Sequence, residues 1–360
     1  MGKAKHYIAV TVLIIVATIA LRYLILEPIY RLPVAASAEA GPIDTMFQAH
    51  FWLISFLFAL IMVFMLYAVV VFRRKPGDDE MGPYVHGHTG LEIAWTVIPT
   101  VIVIGFGIWG SVMLNDLIRP KPEEMTIRVW GQQWAWLFEY PEQGGITTPE
   151  LILPVNQPIL LEMESRDVLH AFWVPEFRVK QDLLPGRKTY LRITPTELGE
   201  YRVLCAEICG LQHAGMVAAA RVVDQNEFAA WADERMAAPA FAEMTPVERG
   251  EIWYTEFGCQ GCHTISVDEG ERAGPTWVGM YGHEVLLLDG TTVIADDDYL
   301  RESIMDPNAK IVAGYTSPSQ MAGLNFETRI PDREAEILAN EGLELDIIAD
   351  LIAFMQTVRE

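Results

Sequence analysis

Residues 205–216 read CAEICGLQHAGM, and what these twelve residues can bind decides the fold around them. Cys205 and Cys209 stand four apart, His213 follows four later and Met216 three after that. Two thiolates, an imidazole and a thioether form a soft donor set, which suits copper; a long, weak methionine bond is typical of copper electron-transfer sites. One stretch cannot close such a site, so a second imidazole is expected from elsewhere. His170 in DVLHAFWVPEF, an aromatic and apolar setting that would exclude water, is the best donor. Two thiolates can each bridge a pair of coppers, and an electron shared over two metals changes each bond little. A disulfide between Cys205 and Cys209 would explain the cysteines but leave His213 and Met216 without a role. A zinc site would use the cysteines and a histidine, but methionine is a poor zinc ligand.

Taken with DVLHAFWVPEF and LPGR (184–187), the stretch resembles the binuclear copper (CuA) domain of cytochrome c oxidase subunit II, over residues 45 to 235 or so. The resemblance implies a cupredoxin-like fold with copper held by His170, Cys205, Cys209, His213 and Met216. It implies that the Glu207 carbonyl is a weak copper ligand and that its carboxylate binds a magnesium ion shared with subunit I, as suits a hard cation. GQQWAWLFEY (131–140) is similar to the family's aromatic stretch, which makes Trp134 the point where electrons arrive. Gln132 and Ala135 replace the usual histidine and tyrosine, which argues against a free cytochrome docking in the usual way. Trp134 and Trp136 could instead simply pack on a strand.

The chain has 360 residues, which predicts two or three folded units. Residues 1–114 hold seven Lys/Arg and seven Asp/Glu, whereas residues 115–360 hold 19 and 41. The acidic excess therefore lies outside the apolar N-terminal third; it argues against nucleic acid and favours basic or neutral protein partners. Three apolar runs, Ile8–Leu26, Phe47–Phe72 and Leu91–Val112, are each long enough to cross a hydrocarbon core of roughly 30 Å. The first could be a secretory signal, with Lys3 and Lys5 before it and VAASAEA after it. Its length and the distance to that Ala-rich stretch favour a retained helix. Lys3, Lys5, Arg73, Arg74 and Lys75 then fall on the inner side, and everything after residue 114 falls outside. The family usually has only the two-helix hairpin, so the first helix is a departure. LEIAWTVIPT (91–100) is close to the family's second hairpin helix, where the residue matching Glu92 marks the mouth of a proton path. Solvation at the interface is the plainer reading of that carboxylate.

After Pro120 and Pro122, runs such as MTIRVWGQQWAWLFEY, LILPVNQPILLEME, KTYLRITP and EYRVLCAE alternate apolar and polar residues between turn formers. They predict an antiparallel sandwich or barrel. The Ala-rich acidic stretch from 224 to 244 begins as a short helix and becomes a linker. Cys259-Gln-Gly-Cys262-His263 is then the attachment motif of c-type haem: two thioethers and an axial imidazole. All four cysteines thus fall in two tight pairs, with none left for a disulfide framework. The surroundings resemble class I cytochrome c: a helix with Gly250, GPTWVGMYG (274–282) with Pro275 buttressing the histidine, and an apolar C-terminal helix. A methionine is the expected sixth ligand because a thioether stabilises ferrous iron. Met280, Met305, Met321 and Met355 are the candidates, and Met321 falls where the family places its ligand.

The reading is a multi-domain membrane protein: residues 1–46 a transmembrane helix (or signal) and loop, 47–114 a helical hairpin, 115–225 an all-β cupredoxin-like domain, 226–244 a linker, and 245–360 an all-α cytochrome c domain. The resemblance implies subunit II of a cytochrome c oxidase in a prokaryotic cell membrane, with both redox domains outside. It would relay electrons from haem c to the copper pair and on to subunit I, where oxygen becomes water with proton translocation. Subunits I and III and a quinol-oxidising complex or small redox carrier are the expected partners. A nitric oxide reductase subunit and a membrane-tethered copper-binding protein are the alternatives. A nitrous oxide reductase would need a histidine-rich domain that this chain lacks.

Overall fold

The computed structural model describes residues 3–74, 77, 84, 86–237, 241–269, 272–315 and 317–359. It divides into two compact units, Met1–Ala35 with Glu39–Arg119, and Ala36–Ala38 with Pro120–Glu360.

The first unit is helical. Helix α1 (Lys3–Ala20) runs through a π-helical stretch (Leu21–Leu26) into α2 (Glu27–Ile29); α3 (Ala40–Val71) and α4 (Thr89–Ile118) follow. Ala4–Ile29, Ala40–Val71 and Thr89–Ile118 are each long and apolar enough to cross a membrane. Most of their large apolar side chains face outward, as a lipid solvent allows. Polar contacts tie the first helical run to α3 near both ends. His6 Nδ1 meets the Tyr67 hydroxyl at 2.7 Å, and Arg22 bonds Glu27 and Gln48. A cation within a span needs such partners. Glu92 lies in the first turn of α4, where its carboxylate accepts from the His88 N–H at 3.1 Å. Lys75, one of the expected inner-side cations, lies outside the described residues.

The second unit begins as two facing five-stranded sheets, with orders β3-β2-β1-β5-β8 and β4-β10-β9-β6-β7. The strands are β1 (Met125–Gln132), β2 (Ala135–Tyr140), β3 (Ile146–Thr148), β4 (Leu151–Pro154), β5 (Ile159–Ser165), β6 (His170–Trp173), β7 (Lys180–Leu183), β8 (Thr189–Ile193), β9 (Gly199–Cys205) and β10 (Val217–Val223). Alternation puts Ile127, Val129, Leu161 and Met163 inside, where they pack with Phe172 and Val203 from the other sheet. The sandwich is mixed rather than wholly antiparallel: β1 pairs with β5, and β4 with β10, in parallel. MTIRVWGQQWAWLFEY is not one strand but the β1–β2 hairpin, with Gln133 and Trp134 at its turn. Residues 36–38 join this unit: Ala38 N–H donates to Thr194 O (2.9 Å) and Ser37 Oγ to Phe177 O (3.1 Å).

Helix α5 (Gln225–Met236) starts at Asp224, whose carboxylate accepts from the N–H groups of Asn226 and Glu227. The remaining chain has a second core around Trp253, Phe257, Trp277, Leu351 and Phe354. Its helices are α6 (Pro246–Glu256), α7 (Asp297–Met305), α8 (Phe326–Glu341) and α9 (Ile347–Met355), with a small ribbon of β11 (Glu284–Leu286) and β12 (Thr292–Ile294) added to the expected helices. Helices α6 and α9 cross so closely that a Cβ on Gly250 would sit 2.1 Å from the Asp350 carbonyl oxygen. At that crossing Arg249 makes two bonds to the Asp350 carboxylate, at 2.7 and 2.8 Å, and Trp253 Nε1 adds a third at 3.2 Å. Asp350→Ala would leave the Arg249 guanidinium facing a buried gap. It is expected to lower the stability of this domain by about 3–5 kcal/mol, the usual effect of removing one member of a buried ion pair. Calorimetry of the purified chain would read this as a lowered transition for the C-terminal domain, and an unchanged transition would remove the assignment.

Candidate metal centre

The ends of three strands converge at one edge of the second sheet. His170 opens β6, Cys205 closes β9, and Met216 directly precedes β10. The register holds them together: Phe172 pairs with Cys205, the Ala206 N–H donates to Ala171 O (2.9 Å) and the Cys205 N–H to Met216 O (3.3 Å). The loop between Cys205 and Met216 folds over this edge and carries Cys209 and His213 inward.

The two cysteines are free thiols with sulfurs 3.7 Å apart, too far for a bond to each other and close enough to share bound atoms. His170 Nδ1 lies 3.9 Å from Cys205 Sγ, and His213 Nδ1 lies 3.5 Å from Cys209 Sγ. Met216 Sδ stands 3.8 Å from Cys209 Sγ, and the Glu207 carbonyl is 3.1 Å from Cys205 Sγ. One imidazole therefore flanks each sulfur, with the thioether beside Cys209 and the carbonyl beside Cys205. The Glu207 side chain is exposed and takes no part in this cluster. His170 and Met216 are fully buried and Cys209 nearly so. This is a water-poor cage of soft donors, as copper prefers. The donor atoms of His170, Cys205 and Cys209 lie within 4.8 Å of one another, which fits a metal.

The titration behaviour agrees with that geometry. The hydrogen bond between the two sulfurs, with His170 and backbone donors, pulls the Cys205 thiol well below the usual thiol range. Cys209 is correspondingly pushed up, because it donates to Cys205 and is desolvated. One thiolate forms easily and the second resists, a conflict that a cation between them removes.

Sequence reading did not single out Asp167, which orients the cage. It accepts from His170 Nε2–H (2.8 Å), Gln133 N–H (2.6 Å) and Val168 N–H (2.6 Å). That bond fixes the tautomer and turns Nδ1 toward Cys205. Burial disfavours the His170 imidazolium, but Asp167 and Cys205 outweigh it and hold the pKa above the ordinary value. Copper needs the neutral ring, so protonation of His170 is expected to weaken loading as pH drops through this raised pKa. Asp167→Asn is expected to weaken copper about 10–100-fold in a chelator competition, as loss of an outer partner does. It should also move the acid limb to lower pH. An unchanged affinity would remove Asp167 from the site.

Trp134 lies over the loop, its Nε1–H donating to Cys209 O (3.1 Å), while Trp136 Nε1–H reaches Met216 O (3.4 Å) and its ring meets His170 edge-on. One end of the sandwich is thus closed by two indoles over a two-thiol cage. Here the comparisons decide the family. Residues 25–111 match the model described as cytochrome C oxidase subunit II, transmembrane domain, and residues 146–223 that of its periplasmic domain. Cytochrome c oxidase subunit 2 of Alkalihalophilus pseudofirmus is 33% identical over 258 residues, covering 69% of this chain and 74% of that one. Its counterpart in Synechocystis is 32% identical over 286 residues, covering 64% and 86%.

The chain belongs to the cytochrome c oxidase subunit II family. A solved periplasmic domain of subunit II from Bradyrhizobium japonicum is 34% identical, covering 34% of this chain and 99% of that one, with a TM-score of 0.32. Membership makes this a subunit of a haem–copper oxidase complex, a membrane protein with an outer-side copper domain that works beside a subunit I.

A second cluster lies beyond the copper domain. Cys259–Gly261 form a short 3-10 turn, and the His263 N–H returns to Cys259 O at 2.9 Å. The imidazole donates through Nδ1 to Pro275 O (2.7 Å), which leaves Nε2 for another group. Gly274 is required beside it, since a Cβ there would lie 2.6 Å from the ring. Cys259, Cys262, His263 and Met321 all line one narrow apolar cavity, closed by Phe326 and Leu351 among others. Burial pushes both thiols up to about 12 and holds His263 below its usual value. Met321 is the candidate methionine that faces this cavity, whereas Met355 is buried within α9 and Met280 and Met305 pack against the core.

Proposed function

We propose that this subunit receives electrons on a haem c in its C-terminal domain and passes them through a binuclear copper centre to subunit I, for reduction of oxygen coupled to proton translocation. What carries the reading is the pair of unbonded thiols 3.7 Å apart with an imidazole beside each, in the same folded unit as a CxxCH cavity.

His170, Cys205, Cys209, His213, Met216 and the Glu207 carbonyl would hold copper, and Cys259, Cys262, His263 and Met321 would hold the haem. When bound, these groups take up and release single electrons without breaking substrate bonds. The chain's own residues do the rest. The Cys205 and Cys209 sulfurs present shared donors, Asp167 fixes the His170 imidazole, Trp134 and Trp136 keep water from the cage, and in the other cavity the Pro275 carbonyl fixes the His263 imidazole. The haem cavity is apolar, which favours the less charged, reduced state of a bound iron. The exposed Glu207 carboxylate is assigned to magnesium shared with subunit I, Trp134 to the route of arriving electrons, and Glu92 to the mouth of the proton path. Subunit III and a quinol-oxidising complex or small carrier complete the proposed partners, in a prokaryotic cell membrane. The domain limits 1–46, 47–114, 115–225, 226–244 and 245–360 go with this reading; a second core around Trp253 and Leu351 supports the last of them, while Phe228 of α5 packs in the sandwich core. Its first helix is retained; the polar ties of that helix to α3 support this, and an intact mass lacking residues 1–38 would refute it.

The test is a visible and near-infrared spectrum of the purified complex with quantified metal. The expectation is two coppers in this subunit per covalent haem c and a mixed-valence signal shared over both metals. A single copper, or zinc, would end the relay reading in favour of a copper-binding protein. Turnover of nitric oxide but not oxygen would favour a nitric oxide reductase.

A further inference from the structure

The C-terminal domain does not hang beside the copper domain; its backbone lies on residues 132–134. A Cβ on Gly261 would sit 2.7 Å from the Trp134 amide nitrogen. At Gly258, where φ is +75°, a Cβ would sit 1.6 Å from Gln132 Nε2. Gly261 is therefore closed by backbone, whereas at Gly258 a side chain would displace the Gln132 amide and strain a left-handed turn. Cys262 packs into the copper domain's own core, and Gln132 and Trp134 are 2% and 3% exposed.

Gln132 bonds across this contact with both ends of its amide. Its Nε2–H donates to Phe257 O at 2.7 Å. Its Oε1 accepts from Arg166 Nη1 (3.2 Å), in the copper domain, and from Arg329 Nη2 (3.1 Å), in α8 of the C-terminal domain. Arg166 Nη1 also reaches Glu256 O at 3.3 Å. Arg166 stacks over Trp130 at 5.0 Å, and Arg329 over Phe257 and Phe326 at 5.4 and 5.5 Å. A mobile tether would not hold two half-buried guanidiniums around one buried amide, because each partial opening would leave the Gln132 amide without a partner. Such a contact is either made whole or released whole.

We infer that the C-terminal domain is locked in one seat on the copper domain, with Gln132 as the positioning residue held between Arg166 and Arg329. The lock stands on protein contacts alone; its consequence rests on the proposed relay. The face of Trp134 is then filled by the chain's own CxxCH segment, and an external carrier has to deliver to the C-terminal domain.

Hydrogen–deuterium exchange on the full-length subunit in the intact complex tests the lock. In the native protein, amides of residues 131–134 and 258–263 should exchange slowly and together. Arg329→Met, made in one domain, should speed exchange at 131–134 in the other by on the order of tenfold or more, as loss of a charged hydrogen bond allows. Gln132→Leu should speed both segments alike. If Gln132→Leu fails to fold, the native protein and Arg329→Met still decide. Fast exchange of both segments in the native protein, or an Arg329→Met variant that leaves 131–134 unchanged, would overturn the lock. Slow, coupled exchange in a chain found to carry no covalent haem would uphold the lock and refute the haem assignment instead.

Discussion

Cys209→Ser is expected to leave at most a single copper bound and to lower oxidase turnover by more than about a hundredfold, beyond the loss that follows removal of an outer partner. Cys209 is the hub of the cage. Its sulfur is 3.7 Å from Cys205 Sγ, 3.5 Å from His213 Nδ1 and 3.8 Å from Met216 Sδ. A serine oxygen is nearly isosteric but hard, so it exchanges a soft bridging donor for one that copper(I) binds poorly. The chain itself should survive. Cys209 lies on a loop rather than in a strand, and burying one hydroxyl without a partner costs only about 1–3 kcal/mol. Met216→Leu makes a useful comparison, because it deletes a weak donor while keeping the volume; it should retain two coppers and lose less turnover. Metal quantification and oxygen uptake by the purified complex read both variants. Two coppers and near-native turnover in Cys209→Ser would mean that the sulfurs do not bridge.

The sequence made the membrane spans and the ligand loop legible because both are local. A run of apolar residues reports its own length, and CAEICGLQHAGM holds four of the donors within twelve positions. The sandwich was legible as strands but not as topology. The parallel pairs β1/β5 and β4/β10 depend on crossovers that leave no periodic trace. Asp167 was three residues from His170 and still missed, because an aspartate in a turn usually serves only its own backbone. Its side chain does that too, toward Val168, and the bond to the imidazole comes in addition. The β11–β12 ribbon did carry a signal, Asp289-Gly290 between apolar runs, which is hairpin chemistry. The attachment of residues 36–38 to the copper domain, and the meeting of Gln132, Arg166 and Arg329, join positions far apart in the chain. No pattern in one sequence could bring them together.

Ending the chain after Ala237 should cut oxidation of an external donor by about 10²–10⁴-fold, the range by which linking two sites can raise effective binding. The copper domain should remain folded, since α5 closes it on its own. Phe228 packs against Tyr140 at 6.2 Å between ring centroids, Trp231 does so at 4.9 Å, and Asp224 caps the helix. Retention of two coppers is the check on that. The cut uncovers Gln132 and Trp134, so a small cytochrome would gain access to a face that the full chain occupies. It would meet that face from dilute solution, whereas a tethered domain is present at about millimolar concentration. Residual turnover should therefore rise with added cytochrome and fall with salt, as a steered encounter does. The full-length double variant Cys259→Ala/Cys262→Ala separates the two effects. It should lose turnover like the truncation, but added cytochrome should not rescue it, because the protein seat over Trp134 is still filled. Undiminished rates after truncation would show that electrons reach the copper domain without the C-terminal domain, and the relay order proposed for this chain would have to be given up.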